Sequence, residues 1–290
     1  MQGRIVKALA GYYYVSDGTT LLQCRARGVF RKKGITPLVG DEVKCEGSNG
    51  EGVITEILPR SSELIRPPIA NINQAILVFS LEEPAFNPQL LDKFLVHTES
   101  AGVEAVICLT KADLVSDNRK IESICREYEA IGYPVIVTSS KGRNGIRDIR
   151  AHLAGHLSVF SGQSGVGKSS LLNELFSHLQ LETAPISYKL GRGKHTTRHV
   201  ELISMPEGGW VADTPGFSSL DFATIEAEEL VLYFKEMRQR IGECKFRGCL
   251  HTNEPGCVIR QSVEEGTVLA SRYKHYIQFL QEIKERKPRY

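Results

Sequence analysis

The hydrophobic pattern of the chain changes twice between its beginning and its end. Residues 1–66 contain short alternating or β-rich segments separated by glycine-containing turns, and they show no helical period. Residues 67–221 alternate continuous apolar runs with amphipathic helical segments, which is typical of a parallel sheet buried on both faces. Residues 222–290 combine helical patterns with a cysteine cluster. We therefore expect a multidomain protein with these three units.

The first unit is expected to be an all-β barrel of the OB type, because closure into a barrel removes the exposed edges of short strands. After it, Pro67 and Pro68 predict an irregular linker over residues 59–68. The predicted strands are 5–15, 21–30, 41–45 and 52–58.

A basic patch covers the second predicted strand and the turn after it. Basic residues beside aromatic ones on a small barrel favour contact with nucleic acid. The alternative is a solvated strand edge protected by charge. The basic residues are Arg25, Arg27, Arg31, Lys32 and Lys33, and the aromatic ones are Tyr12, Tyr13, Tyr14 and Phe30.

In the central unit, apolar runs predict strands at 74–81, 103–109 and 135–137. A helix is expected after Asn87, a good N-cap followed by proline. A second helix is expected from residue 118 to a stop at Gly132.

The stretch GQSGVGKSS, residues 162–170, matches G-x-x-x-x-G-K-S between a predicted strand and a predicted helix. Such a loop turns its backbone N–H groups onto a phosphate chain, and the helix N-terminus adds a favourable potential. We expect Lys168 to reach the β- and γ-phosphates and Ser169 to ligate Mg²⁺. The alternative is a glycine-rich turn with an incidental lysine. The expected binding residues are Gly162, Gln163, Ser164, Gly165, Val166, Gly167, Lys168, Ser169 and Ser170.

Three further short motifs follow predicted strands: TKAD, SSK and DTPG. In SSK, residues 139–141, the backbone N–H groups can meet the guanine O6. In TKAD, residues 110–113, Asp113 can accept the N1–H and N2–H groups of guanine while the Lys111 stem covers the base. In DTPG, residues 213–216, Asp213 can hold Mg²⁺ through water and the Gly216 N–H can meet the γ-phosphate. The expected base-reading residues are Thr110, Lys111, Asp113, Ser139 and Ser140. Asp113 argues against an ATPase, since a carboxylate would face the acceptor N1 of adenine.

The base-reading motifs precede the phosphate motifs, the reverse of most GTPases. In this order, and over its whole length, the chain resembles the circularly permuted GTPases of the RsgA/YjeQ type, which depend on the small ribosomal subunit. The segment GRGKHTTR, residues 191–198, matches the first switch segment of that family. Either Thr196 or Thr197 is then expected to bind Mg²⁺ and sense the γ-phosphate. Thr110 departs from the usual asparagine.

Residue 217, after the DTPG motif, is phenylalanine, where many GTPases have a glutamine that orients the attacking water. We therefore expect slow intrinsic hydrolysis. The water is oriented either by His195, which adjoins the two threonines, or by a group from the ribosome.

The C-terminal unit holds Cys244, Cys249, His251 and Cys257 in the spacing C-x₄-C-x-H-x₅-C. Three thiolates and one imidazole satisfy tetrahedral zinc with no open position, so we expect one structural zinc ion. The alternative is a set of reduced core thiols. Helices are expected at 227–240 and 267–284.

Length and charge restrict the function only weakly. The chain has 290 residues, a net charge of +2 and seven cysteines, an odd number that favours a reducing cytoplasm over a disulfide framework. No apolar run is long enough to span a membrane.

The resemblance implies a GTP-hydrolysing enzyme that binds GTP and GDP, contacts the small ribosomal subunit and its rRNA, and assists late maturation of that subunit. We expect a monomer. The alternative is an RNA-binding module with a vestigial nucleotide site.

Overall fold

The computed structural model describes residues 1–65, 68–139, 145–176, 200–215 and 220–286. Its first unit is a closed barrel with the strand order β1-β2-β3-β5-β4, in which β4 pairs back onto β1. Only the β3–β5 pair is parallel among these pairings. The predicted N-terminal barrel is confirmed. Its strands are β1 (Gln2–Leu9), β2 (Tyr12–Ser16), β3 (Leu21–Ala26), β4 (Glu42–Ser48) and β5 (Glu51–Ile57).

Two predictions of long strands in the barrel are wrong. The segment 5–15 is a hairpin rather than one strand, because Ala10 and Gly11 both have positive φ and turn the chain back. The segment 21–30 ends as a strand at Ala26 and continues as the short helix α1 (Gly28–Lys32). This helix buries the ring of Phe30, and that gain of apolar contact explains why the chain leaves the extended conformation.

The irregular linker predicted at 59–68 is also wrong. The chain forms β6 (Glu63–Ile65) and β7 (Pro68–Ala70), an antiparallel pair. Pro68 is the first residue of its strand, a position where the missing N–H costs little. Ile69 is fully buried, so this hairpin joins the core of the barrel to the next unit.

The central unit is a six-stranded sheet with the order β10-β9-β8-β11-β13-β12. Its strands are parallel except β12, which pairs antiparallel with β13. Every residue of β8 is buried, as expected for a strand covered on both faces. The strands are β8 (Gln74–Ser80), β9 (Glu104–Thr110), β10 (Val135–Val137), β11 (Leu157–Ser161), β12 (Leu202–Ser204) and β13 (Trp210–Pro215). The helices are α2 (Pro88–Ser100), α3 (Asn118–Ile131), α4 (Ile146–Leu153) and α5 (Lys168–Leu175), with a 3₁₀ turn at Ala112–Leu114.

The predicted helix boundaries in this unit are confirmed. The Asn87 side chain accepts a hydrogen bond from the Leu90 backbone N–H at 3.0 Å and caps α2. Gly132 ends α3 with a φ of 95°, a conformation that favours glycine.

In the C-terminal unit, the predicted helix 227–240 is wrong. A 3₁₀ turn (Leu230–Tyr233) and the short helix α6 (Lys235–Arg238) are separated by Phe234, whose backbone is extended. The Phe234 ring is fully buried and meets the Tyr276 ring edge-on at 5.5 Å, so tertiary packing overrides the helical pattern. The other predicted helix is present as α8 (Ala270–Glu285), preceded by α7 (Val258–Glu264). None of the described helices combines the length and apolar content that a bilayer crossing requires.

Candidate nucleotide site and metal cluster

The glycine-rich loop connects β11 to α5 at the carboxyl end of the sheet. At Gly162, with a φ of 151°, a β-carbon would lie 2.1 Å from the Val78 carbonyl oxygen of the neighbouring strand. Gly167, with a φ of 91°, is the N-cap of α5. Side chains are therefore excluded at these positions, and the loop follows the strand closely before its N–H groups begin the helix.

Lys168 is the first residue of α5 and lies back over the loop. Its Nζ donates to the carbonyl oxygens of Gly162 at 2.7 Å and Gln163 at 3.3 Å. Ser169 and Ser170 follow at the exposed N-terminus of the helix. The ammonium group and this helix end thus lie on the same side of the loop, where a phosphate chain needs positive potential.

Thr110, at the end of β9, connects the base-reading segment to the glycine-rich loop. Its hydroxyl lies 2.5 Å from the Val166 carbonyl oxygen and 3.3 Å from the Phe79 carbonyl oxygen, and it can donate to either. The residue is buried, so this hydrogen bond is shielded from water. A threonine hydroxyl therefore braces the loop from the position where asparagine is usual.

Asp113 and Ser139 are brought together from two different strand ends. The Ser139 hydroxyl donates to Asp113 Oδ1 at 3.0 Å. Lys111 adopts the left-handed conformation with a φ of 59°, and its ammonium group donates to the Glu83 carbonyl oxygen. The guanine-reading side chains predicted from sequence therefore converge at one edge of the site.

Sequence reasoning did not anticipate the loop that follows β8. Besides the contact of the Glu83 carbonyl with Lys111, the Pro84 ring lies 3.8 Å from the position that a β-carbon on Gly165 would take. The Ser80 hydroxyl donates to the Pro84 carbonyl oxygen at 2.6 Å and holds this loop against the sheet. No motif marks this loop, because Glu83 contacts Lys111 through a backbone carbonyl that any residue could supply.

Other predicted site residues are described in part or not at all. Asp213 lies in β13, beside β11. Ser140, His195, Thr196, Thr197, Gly216 and Phe217 lie outside the described residues.

The four predicted metal ligands form one cluster, with ligand atoms all within 4.8 Å of one another. His251 Nδ1 lies 3.6 Å from Cys244 Sγ and 3.4 Å from Cys257 Sγ. A zinc tetrahedron with its usual bond lengths has edges of roughly 3.5–3.8 Å. The geometry and the three-sulfur, one-nitrogen donor set therefore fit a closed zinc site. Burial raises the pKa of the Cys249 thiol to about 12, so a metal must displace its proton on binding.

Neighbouring groups hold the cluster in this shape. The Tyr273 hydroxyl donates to the His251 carbonyl oxygen at 2.7 Å, and the Val258 N–H points at Cys244 Sγ at 3.4 Å. Glu254 accepts the N–H groups of Leu250 and Thr252 at 3.0 and 2.7 Å. Burial alone would raise the pKa of Glu254, but hydrogen bonds from its own backbone N–H and from those of Leu250 and Thr252 lower it to about 2. The turn before Cys257 is therefore braced by a carboxylate that stays ionised.

Comparison with known proteins agrees with this geometry over the whole chain. The family model for the RsgA N-terminal domain matches residues 2–54, and the model for the RsgA GTPase matches residues 57–223. The chain belongs to the RsgA GTPase family. It is therefore a GTPase, and the family resemblance drawn from the order of its motifs is confirmed.

Full-length relatives of this family are closely similar. A small ribosomal subunit biogenesis GTPase RsgA from Bacillus velezensis is 56% identical over 295 residues, covering 100% of this chain and 99% of the relative. The protein of the same name from Bacillus subtilis is 52% identical over 297 residues, with the same coverage.

Two solved structures have the same fold. The crystal structure of YloQ, described as a circularly permuted GTPase, has a TM-score of 0.87 at 47% identity, covering 100% of this chain and 96% of that one. The crystal structure of YjeQ from Thermotoga maritima has a TM-score of 0.87 at 34% identity, covering 99% of both chains.

Proposed function

We propose that this protein is a cytoplasmic, monomeric GTPase that binds the small ribosomal subunit through its rRNA and assists late maturation of that subunit. The observation that carries the proposal is the meeting of the base-reading and phosphate-binding loops at one end of the sheet, joined by the Thr110–Val166 hydrogen bond. Full-length relatives named small ribosomal subunit biogenesis GTPases support the same interpretation.

In the proposed nucleotide site, Asp113 accepts the two guanine N–H groups, and Ser139 and Ser140 line the base. The residues 162–170 surround the phosphates. Lys168 neutralises charge on the β- and γ-phosphates, where charge develops during transfer. Mg²⁺, which accompanies GTP, would be held by Ser169, by Asp213 through water, and by Thr196 or Thr197. Gly216 would meet the γ-phosphate.

Hydrolysis is proposed to be slow without the ribosome, because Phe217 has no polar atom with which to orient water. His195 is the internal candidate for that role. In this proposal the subunit brings His195 within reach of the attacking water, and turnover then rises.

The Cys244, Cys249, His251 and Cys257 cluster is proposed to hold one structural zinc ion, which would fold the surrounding turns rather than take part in hydrolysis.

The barrel is proposed to contact rRNA through part of its basic patch. Arg25 lies over the Tyr12 ring at 4.8 Å, and Arg27 pairs with Glu46 at 3.1 Å. Arg31, Lys32 and Lys33 are exposed on and just after α1, so they are the better candidates for phosphate contacts.

The decisive experiment measures GTP turnover with isolated small subunits, with large subunits and with neither. We expect strong stimulation by small subunits alone. Equal turnover in all three conditions would contradict the proposal and favour an RNA-binding module with a vestigial nucleotide site.

Base reading is tested with Asp113→Asn, which removes one acceptor and introduces a donor toward the guanine N–H groups. GTP affinity should fall strongly, while the affinity for xanthosine triphosphate rises. Competition of ATP against GTP on the wild-type protein is the matched control. Unchanged GTP affinity in the variant would show that Asp113 does not read the base.

A further inference from the structure

Phe246 is the most exposed aromatic ring among the described residues, with 47% of its surface accessible. It lies between Cys244 and Cys249, on the loop that the two metal-binding cysteines enclose. A single exposed apolar side chain is common on protein surfaces, so the case for a partner rests on how this ring is held and on the charges beside it.

The loop that carries Phe246 is held in place from both sides. Cys244 and Cys249 fix its ends in the metal cluster, and the Lys245 N–H donates to the Gly256 carbonyl oxygen at 3.3 Å. The Lys245 side chain packs against Gly256. The ring is therefore presented on a braced turn, and binding a partner would cost little conformational entropy.

The charges beside the ring are positive. Lys245 and Arg247 flank Phe246, and both are exposed. The two acids nearest in sequence are engaged elsewhere: Glu243 pairs with Arg240 at 2.8 Å, and Glu254 accepts backbone N–H groups. Within the part of the chain that the structure describes, neither Lys245 nor Arg247 is in an ion pair.

The aromatic rings of the barrel patch are placed differently. Tyr12 is covered by Arg25, and Tyr13 and Tyr14 pack against the hydrophobic core. Among the described residues, by contrast, the cation recorded near the Phe246 ring is the flexible Lys245 ammonium group, at 5.5 Å from the ring centroid. An open aromatic face between two cations has the chemistry of a base-stacking site on RNA, where the ring takes the base and the cations take the adjacent phosphates.

We propose that Phe246 stacks on an unpaired RNA base, with Lys245 and Arg247 on the flanking phosphates. This deepens the proposed function, since on the ribosome the base would belong to the rRNA of the small subunit. It assigns the loop between Cys244 and Cys249 a direct role in RNA recognition, in addition to its structural role.

The test compares Phe246→Leu with Phe246→Tyr in the full chain loaded with a non-hydrolysable GTP analogue. Two probes are used: a fluorescent single-stranded oligoadenosine and isolated small subunits. Leucine keeps the apolar surface but removes the π-face, so binding should weaken by about 5- to 150-fold. Tyrosine keeps the face and should bind as the wild type does. Lys245→Ala with Arg247→Ala should flatten the salt dependence, by about 0.7 in log–log slope for each phosphate that is no longer neutralised.

Leu232→Ala is the matched control, since Leu232 is an apolar side chain of the same unit, 39% exposed, with no cation on either side in sequence. It should leave binding unchanged, and all variants should keep their metal content. Full binding by Phe246→Leu would overturn the proposal and indicate an apolar contact with a ribosomal protein. A wild-type chain that binds neither probe would also overturn it. If the wild-type chain bound oligoadenosine, with the expected differences between variants, and yet did not bind small subunits, that result would count against the proposed function and support the stacking site.

Discussion

The barrel and the C-terminal unit are attached to the central sheet by different kinds of contact. Between the barrel and the sheet, one cluster of buried apolar side chains continues from Ile5 through Ile69 to Leu77. The C-terminal unit packs on α2 of the central unit, where Val96 joins its apolar core and buried charges also meet. There Arg272, only 2% exposed, pairs with the fully buried Asp92.

The hydrogen bonds of this ionic contact are extensive. Asp92 also accepts from the Tyr128 hydroxyl at 3.1 Å and lies 2.6 Å from His275 Nδ1. Arg272 donates to the two carboxylate oxygens of Glu236 at 2.5 and 3.1 Å. Three elements, α2, α3 and α8, thus converge on one carboxylate.

The two kinds of contact, apolar and ionic, restrict the orientation of the attached units to different degrees. Apolar contact is not directional, whereas a hydrogen-bonded ion network is satisfied in few arrangements. Because both charges lose hydration, such a network adds little net stability, yet removing one partner is costly. We infer that the barrel is held mainly by burial and that Asp92 sets the orientation of the C-terminal unit.

The largest effect is expected from breaking the metal cluster. Cys257→Ser should unfold the C-terminal unit, because binding of structural zinc contributes about 10–16 kcal/mol in small peptides. The barrel and sheet should stay folded, since their apolar cluster does not include this unit. Hydrogen exchange of α7 and α8, compared with β1 and β8, checks this. If β1 lost its protection from hydrogen exchange together with α7 and α8, the C-terminal unit would not unfold independently of the barrel.

The next largest effect on stability is expected from removal of the buried Asp92 carboxylate. Asp92→Ala leaves Arg272 with one partner in a buried site, so the free energy of unfolding should fall by about 3–5 kcal/mol in denaturant titrations. Arg272→Met alone should be similarly costly. Combined, they should cost clearly less than the sum, because the second change removes the charge that the first left unpaired. Additive losses would mean that the two residues are not coupled.

A backbone contact tests the attachment of the barrel. Gly40 has a φ of 93°, and a β-carbon there would lie 2.0 Å from the Ala70 carbonyl oxygen of β7. Gly40→Ala should therefore cost more than about 2 kcal/mol, from backbone strain and the clash together. Gly34→Ala is the control, since φ is also positive there, at 69°, but nothing lies within 4 Å. Equal losses in the two variants would show that close packing against β7 is unimportant.

The sequence predicted those features that depend on local chemistry. The glycine-rich loop, the Asn87 cap and the Gly132 stop are local motifs, and the burial of the central strands on both faces follows from their apolar runs. The metal ligands were identified because their spacing and polar surroundings suit a closed site. The zinc ion itself, the roles of the site residues and the boundaries of the three units stay predictions.

Features set by distant partners could not be predicted. Phe234 interrupts a helical pattern because Tyr276, far along the chain, packs on it. Asp92 is buried on α2, between Leu95 and Val96 around the helix, and its partner does not follow from the local pattern. Its place next to these apolar residues was a usable signal, since a carboxylate on a buried helix face requires a partner. Its partner Arg272 had no such signal, because its place in α8 resembles that of any surface arginine.

The smallest effect is expected at the ion pair that links the barrel to the sheet. Lys7 Nζ lies 3.0 Å from Glu201 Oε2, and the two side chains are 32% and 45% exposed. Exposed pairs of this kind contribute about 0–1 kcal/mol, because water and salt screen them and ordering two long side chains costs entropy. Lys7→Ala should therefore lower the free energy of unfolding by less than about 1 kcal/mol, and the difference should shrink at high salt. Denaturant titrations at low and high salt measure both quantities. A loss as large as that of Asp92→Ala, persisting at high salt, would mean that the barrel too depends on charge, and the contrast between the two attachments would no longer hold.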